Sequence, residues 1–270
     1  MTDKAIITEH FSNTASVWKD NIYKLKKEQG KFEYFDKQYR FDYTVEMIPM
    51  IQGKWKRAMD MGCGAGQLLP VLFDLGYKPY GIDISSDMVD LSKKLCSKYD
   101  VKAEVKVGDT ENLDYPDNYF DLYVAMGVIE YMDEDEPMLK EIMRVLCPGG
   151  LAIITTRNVC SIHVRWRTFY RKYIEQNIKN LIRVIIGRKP VFYRAISREH
   201  NPDRFKRKLQ NMSFKILDER YAHFHTLFAP LNSWFSPIEA VFGKIMEKKF
   251  NRGRFSFLAS SFIVKVQKPL

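Results

Sequence analysis

Met59-Asp60-Met61-Gly62-Cys63-Gly64-Ala65-Gly66 is the stretch of sequence that decides the fold of this chain. The segment that starts at Trp55 leads into it with a short buried-strand pattern, and Gln67-Leu68-Leu69 opens an apolar-periodic stretch typical of a helix. Glycines at alternate positions between a strand and a helix let backbone N–H groups approach a ligand at the positive end of the helix. The sequence therefore predicts a ligand-binding loop here.

Two acidic residues narrow the kind of ligand. Asp60 ends the first strand and Asp83 ends the next apolar strand, where a carboxylate suits the hydroxyls of a ribose. A dinucleotide loop places its third glycine five positions after the first, whereas Gly62, Gly64 and Gly66 form a G-x-G-x-G pattern. A carboxylate at Asp60 is poorly placed beside a pyrophosphate but acceptable beside a cationic amino-acid group. S-adenosylmethionine (SAM) has a ribose, a cationic amino-acid group and no pyrophosphate.

Further motifs follow the glycine loop in order: Gly81-Ile82-Asp83-Ile84-Ser85 with Met88, Gly108-Asp109-Thr110-Glu111-Asn112-Leu113, Phe120-Asp121-Leu122-Tyr123-Val124 and Leu146-Cys147-Pro148-Gly149-Gly150-Leu151. With the loop, they resemble the core of a class I SAM-dependent methyltransferase of the small-molecule type, which includes enzymes of the ubiquinone and menaquinone pathways. The resemblance spans residues of about 55–156. It implies a Rossmann-like methyltransferase fold, SAM as the cofactor and methyl transfer as the reaction.

The resemblance also implies roles for individual residues. Asp83 would bind the ribose, Met88 would pack on the adenine, and Asp109 would accept from the adenine amino group. The alternative for the glycines is a simple turn, and for Met88 a core position on a helix. The predicted cofactor-binding residues are Asp60, Gly62, Cys63, Gly64, Gly66, Asp83, Ile84, Met88, Asp109, Thr110, Met126 and Arg40.

Composition sets the broad class of the protein. Of 270 residues, 46% are hydrophobic and 28% charged, as in soluble globular proteins. The chain opens without a long apolar segment, and no stretch approaches the ~18 apolar residues of a transmembrane helix. Its four cysteines show no metal or disulfide spacing. We therefore expect a cytoplasmic protein, with peripheral attachment to a membrane as an option.

The net charge of +10 is concentrated in one region. Between Arg157 and Lys208 there are fifteen Lys or Arg and three acids, a net of +12, so the rest of the chain is near −2. Partner recognition should therefore be sought in this basic region.

The pattern of strands and helices predicts an α/β fold with a doubly wound, seven-stranded sheet whose last strand is antiparallel. Pro148-Gly149-Gly150 reads as a turn before strand five. Helical insertions should follow strands five and six. The predicted organisation is an N-terminal helical cap (1–54), a SAM-binding α/β core (55–156), a basic aromatic helical insertion (157–200) and a C-terminal part of the core (201–270) with a second insertion at about 225–254.

The first insertion carries an apolar stripe that includes Trp166 between His163 and Ile186, with arginines and lysines on the other face. Three interpretations remain open. The stripe could pack as a lid over the substrate pocket, lie on an anionic membrane surface, or sit beside a cationic face that binds nucleic acid, which is the least favoured.

In the N-terminal region, Arg40 is the candidate for the methionine carboxylate of the cofactor, since the family often supplies an arginine there. Trp18 and Tyr23 are candidate walls of the substrate site. A surface arginine and core aromatic residues are the alternative.

Candidate catalytic residues are His200 and His163, which fall in the substrate-facing half of the chain. Tyr131 stands where many relatives have a histidine, and it is a poor base at neutral pH. It remains a substrate-site candidate together with Trp166. His223 and His225 alternate on a strand end and should share a face, but they lack a third ligand, so no metal site is predicted.

These patterns favour a SAM-dependent methyltransferase whose acceptor is a small or lipid-linked molecule. Oxygen is preferred over nitrogen as the methylated atom because of His200 alone. The alternatives are an RNA methyltransferase that uses the basic insertions, and a non-catalytic SAM-binding protein that docks on a membrane. The patterns do not predict an oligomeric state.

Overall fold

Seven strands form one sheet in a computed structural model that describes residues 3–22, 32–54, 56–190, 197–225, 227–228, 231, 236–253 and 255–270. The strands are β1 (Lys56–Met61), β2 (Tyr77–Asp83), β3 (Glu104–Val107), β4 (Phe120–Met126), β5 (Leu146–Arg157), β6 (Lys215–Phe224) and β7 (Ala259–Gln267).

Helices flank the sheet and extend beyond it. They are α1 (Asp3–Ile22), α2 (Phe32–Met47), α3 (Leu68–Asp74), α4 (Ser86–Lys98), α5 (Glu136–Val145), α6 (Ile162–Phe169), α7 (Gln176–Ile185), α8 (Pro202–Asn211) and α9 (Ser236–Phe250). A π-helical segment, Tyr170–Glu175, joins α6 to α7, and single 3₁₀ turns lie at Ile129–Tyr131 and Ser256–Leu258. Among the described helices, none combines the length and the apolar character that crossing a bilayer requires.

The strand order is β3-β2-β1-β4-β5-β7-β6, which confirms the predicted seven-stranded α/β fold. All pairs are parallel except those of β7, which is antiparallel to both β5 and β6. Because β1 pairs with β2 on one side and β4 on the other, the order of the strands reverses at β1. In such sheets the ligand binds outside the carboxyl ends of the strands at this reversal.

The central strands are apolar because helices cover both faces of the sheet. Along β4, Leu122 and Val124 join one core with Tyr43 of α2 and Leu68 of α3. Tyr123, between them, faces the opposite core, which α5 and α8 help to form. This alternation follows from the two-residue period of a strand.

The predicted turn at Pro148-Gly149-Gly150 is wrong, because these residues lie inside β5. α5 ends at Val145, and β5 begins at the next residue with an irregular register against β4. Gly149 has φ +73 and donates its N–H to the carbonyl groups of Lys268 and Pro269. Gly149 thus provides the positive φ of this irregular segment, which is hydrogen-bonded to the last residues of the chain.

The first insertion forms a nearly continuous helix, of which only the start is anchored. Ser161 caps α6 by accepting the Val164 N–H at 3.4 Å, and His163 and Val164 are buried. α7 buries none of its residues. The predicted lid, whose apolar stripe would be covered, is therefore wrong for α7, since the stripe on this helix is exposed.

A buried carboxylate fastens α9 to β6 and α2. Glu247 accepts the Tyr43 hydroxyl at 3.0 Å, the Phe224 N–H at 3.1 Å and the His223 N–H. Burial is the largest influence on this carboxyl and raises its pKa to about 7, although these hydrogen bonds favour the charged form. The folded protein therefore binds a proton at Glu247 more tightly than the unfolded chain does.

We expect this proton to make part of the stability depend on pH. The contribution is fully present below the unfolded pKa near 4.5 and is lost as the pH rises through about 7, a difference on the order of 3 kcal/mol. Glu247→Gln should remove this slope, so that its melting temperature changes less between pH 5 and 8 than that of the wild type. Calorimetric scans of both proteins over that range test this. Parallel pH profiles would show that Glu247 does not hold the proton.

Candidate active site

The loop between β1 and α3 is built on three glycines with positive φ, at +64° for Gly62, +53° for Gly64 and +83° for Gly66. A Cβ on Gly66 would come within 2.9 Å of the Ser92 backbone, whereas a Cβ on Gly64 would meet nothing within 4 Å. Gly66 is therefore required for packing against α4. Gly64 leaves open space where a ligand can approach the backbone.

Two buried carboxylates lie beside this loop. Asp83 accepts the Gly64 N–H and the Ser85 N–H, each at 2.9 Å, so the acid that ends β2 is tied to the glycine loop. Burial raises the pKa of Asp83 and raises that of Asp60 well above its usual range, with the charge of Asp83 adding to the effect on Asp60. Two acids placed in this way favour a ligand that brings positive charge and hydroxyl donors.

Cys63 acts as a packing residue within the loop. Its Sγ lies 3.5 Å from the Ser92 hydroxyl, and burial followed by the charge of Asp60 raises the pKa of the thiol well above its usual range. A thiol that remains protonated is a poor nucleophile. Its bulk also fills the space above Gly81, where an added Cβ would lie 3.2 Å from Sγ.

The residues predicted to hold the adenine line one end of the site. Met88 is buried on α4, and Ile84 is half-buried just after β2. Asp109 accepts Lys4 Nζ at 2.6 Å and the Glu111 N–H at 3.0 Å. The lysine could not be predicted from the sequence, because it comes from α1, more than a hundred residues away. The predicted adenine contacts of Met88 and Asp109 stay predictions.

The neighbouring Thr110 is also buried, and its hydroxyl donates to Met132 Sδ at 3.4 Å. The Thr110 side chain is thus used inside the protein. The predicted contact of Thr110 with the cofactor stays a prediction.

α1 crosses the cofactor cleft and contacts it at three places. Besides the Lys4–Asp109 pair, the Ser12 and Ser85 hydroxyls are 3.0 Å apart, and the Phe11 ring packs edge-on against Tyr131 at 5.2 Å. These contacts place α1 above both the adenine end and the opposite end of the site. The Tyr131 ring is therefore held in contact with α1, and its predicted role in the substrate site stays a prediction.

Arg40 lies at the other end of the site, over the carboxyl end of β4. A Cβ on Gly127 would be 2.9 Å from Arg40 Nη1, so the guanidinium rests on the residue that follows Met126. Gly127 has φ +68 and donates its N–H to the Thr155 hydroxyl at 2.9 Å. The predicted contact of Arg40 with the methionine carboxylate of the cofactor stays a prediction.

His200 is buried and engaged through both ring nitrogens. Nδ1 lies 2.7 Å from the Thr156 hydroxyl, and Nε2 lies 2.9 Å from the carboxylate of Asp135. Burial alone would raise the pKa of Asp135, but His200, Lys208 and Arg198 together lower it below its usual range. The ring therefore joins β5 to the start of α5. The predicted role as base would require one of these bonds to break.

His163 and His225 stack face to face, with ring centroids 3.8 Å apart. His163 Nε2 lies 2.9 Å from the Leu227 carbonyl oxygen, and its ring also stacks on Phe228 at 6.1 Å. The pair joins the helix after β5 to the segment after β6. It was not anticipated, because the two histidines are sixty-two residues apart in sequence.

The prediction that His223 and His225 share a face is wrong. His223 has φ +65, which breaks the strand pleat, and its Nδ1 lies 3.1 Å from the Ser261 hydroxyl. His225 contacts Ser260 instead, at 3.2 Å. Adjacent residues of β7 point to opposite faces, so the two histidines do as well.

Of the other predicted substrate-site residues, the structure describes the side chain of one, Trp166. Trp166 is partly exposed on α6 and contacts Phe228 at a ring distance of 5.9 Å. The side chain of Trp18 and the whole of Tyr23 lie outside the described residues. Within the described ranges, no group of three or more His, Cys, Asp or Glu side chains is arranged to hold a metal ion.

Comparison with known proteins gives the site its context. Residues 59–154 match the family model for a methyltransferase domain. The chain is 23% identical over 223 residues to a ubiquinone biosynthesis O-methyltransferase of Coxiella burnetii, covering 80% of this chain and 85% of that protein. It is 31% identical over 130 residues to the protein of that name from Bradyrhizobium sp. (strain ORS 278), covering 48% of each.

Solved structures share the fold at low identity. The [4+2]-cyclase SpnF aligns over 100% of this chain and 98% of its own, with a TM-score of 0.64 and 19% identity. Magnesium protoporphyrin IX methyltransferase (ChlM) from Synechocystis PCC 6803, solved with bound SAH, aligns over 98% and 99% with a TM-score of 0.58 and 15% identity. The cyclase shows that this fold alone does not establish the reaction.

The glycine loop and the acid pair fit the charge and shape of SAM, and the methyltransferase domain spans them. SAM is therefore the cofactor. Asp60, Asp83 and the loop backbone are the residues that would hold its amino-acid and ribose parts, and the cofactor supplies an activated methyl group when bound.

Substitutions of Gly66 and Gly64 should have different effects, the first mainly on stability and the second mainly on cofactor binding. Gly66→Ala places a Cβ against the Ser92 backbone, so we expect loss of more than the ~1–2 kcal/mol of left-handed strain alone. Gly64→Ala should cost only about that strain but weaken binding of S-adenosylhomocysteine (SAH) at least tenfold, since its Cβ enters the ligand space. Chemical denaturation and titration calorimetry measure the two effects. Unchanged affinity in Gly64→Ala would remove the loop from the cofactor site.

Proposed function

Because the chain is a class I SAM-dependent methyltransferase similar to enzymes of the ubiquinone pathway, we propose that it methylates a hydroxyl oxygen of a lipophilic, lipid-linked small molecule. It does so in the cytoplasm, peripherally attached to an anionic membrane surface. Methyl transfer from a sulfonium is an in-line displacement, so the main task of the protein is to hold the acceptor oxygen against the methyl group.

The observation that carries the proposal is an apolar surface beside the edge of the sheet where the cofactor binds. α6 follows β5, and Phe228 follows β6, so both lie beyond the carboxyl ends of parallel strands. The Trp166 and Phe228 rings meet at 5.9 Å and link the two insertions. A lipophilic acceptor that arrives at this edge meets aromatic side chains before it reaches the methyl group.

α7 extends this surface as an exposed amphipathic helix. Ile178, Leu181, Ile182 and Ile185 follow one another at helical spacing on one face, and Leu181 is 63% and Ile185 75% exposed. Exposed cationic side chains flank the stripe along α6, the π-helical segment and α7: Arg165, Arg171, Lys172 and Lys179. An apolar face bordered by cations is typical of helices that lie in the interface of an anionic bilayer.

The oxygen preference rests on the relatives. Those from Coxiella burnetii and Bradyrhizobium are named as O-methyltransferases of ubiquinone biosynthesis. The first of these alignments extends over most of both chains, and thus beyond the cofactor core into the region of the insertions. This extent supports a related acceptor class for the present protein.

A labelling experiment tests the acceptor class. The protein is incubated with SAM carrying a radiolabelled methyl group and a lysate of its source organism, and the products are separated into lipid, nucleic-acid, protein and water-soluble fractions. We expect enzyme-dependent label in the organic phase that resists mild alkali, because an aryl or alkyl methyl ether is not hydrolysed as an ester is. A parallel reaction with excess SAH is the control.

Label in nuclease-sensitive material would contradict this proposal and make the basic insertions an RNA-binding surface. Alkali-labile label in the organic phase would identify a carboxyl acceptor instead of a hydroxyl.

Membrane binding should depend on the exposed stripe of α7. Leu181→Glu/Ile185→Glu removes two apolar contacts, each worth about 1.5–3 kcal/mol when fully buried, and should lower partitioning to anionic vesicles more than tenfold. Flotation with phosphatidylglycerol-containing vesicles measures this. The melting temperature should not fall, since both side chains are exposed in the folded protein.

Gln176→Glu/Asn180→Glu is the matched control, because it adds the same charge to the opposite face of α7. It should keep most of the vesicle binding. Equal loss in both double variants would indicate a purely electrostatic attraction, and no loss in either would remove α7 from any membrane contact.

A further inference from the structure

Glu130 is a buried carboxylate at the carboxyl end of β4. It lies in the 3₁₀ turn Ile129–Tyr131 and is 2% exposed. Its backbone carbonyl accepts the Arg198 N–H at 2.6 Å, which holds the turn against the segment before α8. The side chain is therefore held in a defined place that water reaches poorly.

The two oxygens of this carboxylate are incompletely satisfied. Oε1 lies 3.7 Å from Arg157 Nε and 4.0 Å from Arg40 Nη1, both longer than a hydrogen bond. Oε2 is buried and has no hydrogen-bond partner among the described residues. A buried charged acceptor without a donor carries a large desolvation cost. Oε2 is thus an acceptor for which a ligand can supply the donor.

The surroundings of Glu130 place it beside the reacting groups. Arg40 rests on Gly127, at the end of the site where the methionine part of the cofactor is expected. Arg157 ends β5, and the two arginines bracket Oε1 from α2 and from β5. Tyr131, the next residue, packs on Phe11 of α1. The acceptor therefore has to enter between these side chains to reach the methyl group.

The histidines that the sequence favoured are committed elsewhere. Both ring nitrogens of His200 lie at hydrogen-bond distance from Thr156 and Asp135. His163 uses Nε2 at the Leu227 carbonyl oxygen and stacks on His225. Glu130 Oε2, in contrast, is buried without a hydrogen-bond partner among the described residues.

We propose that Glu130 is the catalytic base that receives the proton of the acceptor hydroxyl, with Arg40 and Arg157 fixing the carboxylate. The inference rests on the proposed function, since it requires an O–H acceptor. Glu130 Oε2 accepts the hydroxyl proton while a lone pair of the acceptor oxygen forms a bond to the methyl carbon. The carbon–sulfur bond breaks, and its electron pair stays on sulfur, leaving neutral SAH. The protonated Glu130 then releases its proton to water.

The step removes one negative and one positive charge together. A carboxylate becomes a neutral acid while the sulfonium becomes a thioether. In a water-poor site, a reaction that annihilates opposite charges is favoured over one that must create them.

Glu130→Gln tests the proposal because it keeps the size of the side chain and removes its basicity. With labelled SAM and the lysate acceptor pool, we expect the variant to transfer at least about 10²-fold less label than the wild type, while SAH affinity changes less than threefold. Glu141→Gln is the control for replacing a partly buried carboxylate, since its partners, Arg144 and the Leu113 N–H, lie in a separate network. Glu141→Gln should transfer as much labelled methyl group as the wild type does.

Glu130→Asp gives a second readout. The charged and polar groups that surround Glu130 are Arg40 of α2, Arg157 of β5 and Tyr131 of its own turn. The shorter carboxylate should restore part of the labelling that Glu130→Gln loses, because it keeps a basic oxygen between the two arginines. Because Glu130→Asp retains a carboxylate, it tests the role even if the glutamine variant folds poorly.

Equal labelling by Glu130→Gln and wild type would overturn the proposal. Loss of SAH affinity in proportion to activity would overturn it as well, assigning Glu130 to the cofactor. The fraction that carries the label tests the acceptor class separately. If the label is found outside the organic phase and Glu130→Gln transfers as much of it as the wild type, both proposals are refuted. If the label is found outside the organic phase but Glu130→Gln transfers far less of it, only the acceptor class is refuted.

Discussion

The site depends on a pair of carboxylates that are forced together. Parallel pairing of β1 with β2 brings Asp60 and Asp83 to the same edge of the sheet, where both are buried. Asp83 is held by backbone N–H groups of the glycine loop and of the next turn, so the loop cannot relax away from the acids. Burial of like charges at one place is unfavourable without a cation. SAM carries both positive charge and ribose hydroxyl groups, which suit such a pair of acids, and the helices around the loop keep the arrangement in place.

The enzyme is divided by function along the sheet. The cofactor half holds the glycine loop and its two acids from β1 and β2, with Arg40 of α2 at the end of β4. The proposed acceptor half holds Arg157 of β5 and aromatic side chains from the segments after β5 and β6. β4 lies between the halves and contributes to both, since Gly127 supports Arg40 and Glu130 lies three residues later. Specificity can therefore change in the insertions without disturbing the cofactor loop.

The sequence was sufficient for the sheet, the glycine loop and the acids of the cofactor site, because these depend on residues close together in the chain. The partners of His200 could not be predicted, since Asp135 lies sixty-five residues away and meets it only after folding. The positive φ of His223 was equally hidden, and its N–H donates to Glu247 of α9, a partner twenty-four residues away. Periodicity identified the apolar face of α7 but contained no information about what covers it. Glu130 directly precedes Tyr131, which the sequence singled out, yet its unpartnered Oε2 became visible only with the folded surroundings of the turn.

The position of β7 has a consequence for biosynthesis. Within the described residues, β6 pairs with β7 alone, and β7 connects it to β5. β1 to β5 can form their parallel sheet as they emerge from the ribosome, since each finds a neighbour already synthesised. β6 and α9 have no place in the sheet until the residues of β7 are also available. The proposed acceptor half therefore assembles only when β7 is available, and until then the nascent chain holds the glycine loop without the surface proposed to bind the acceptor.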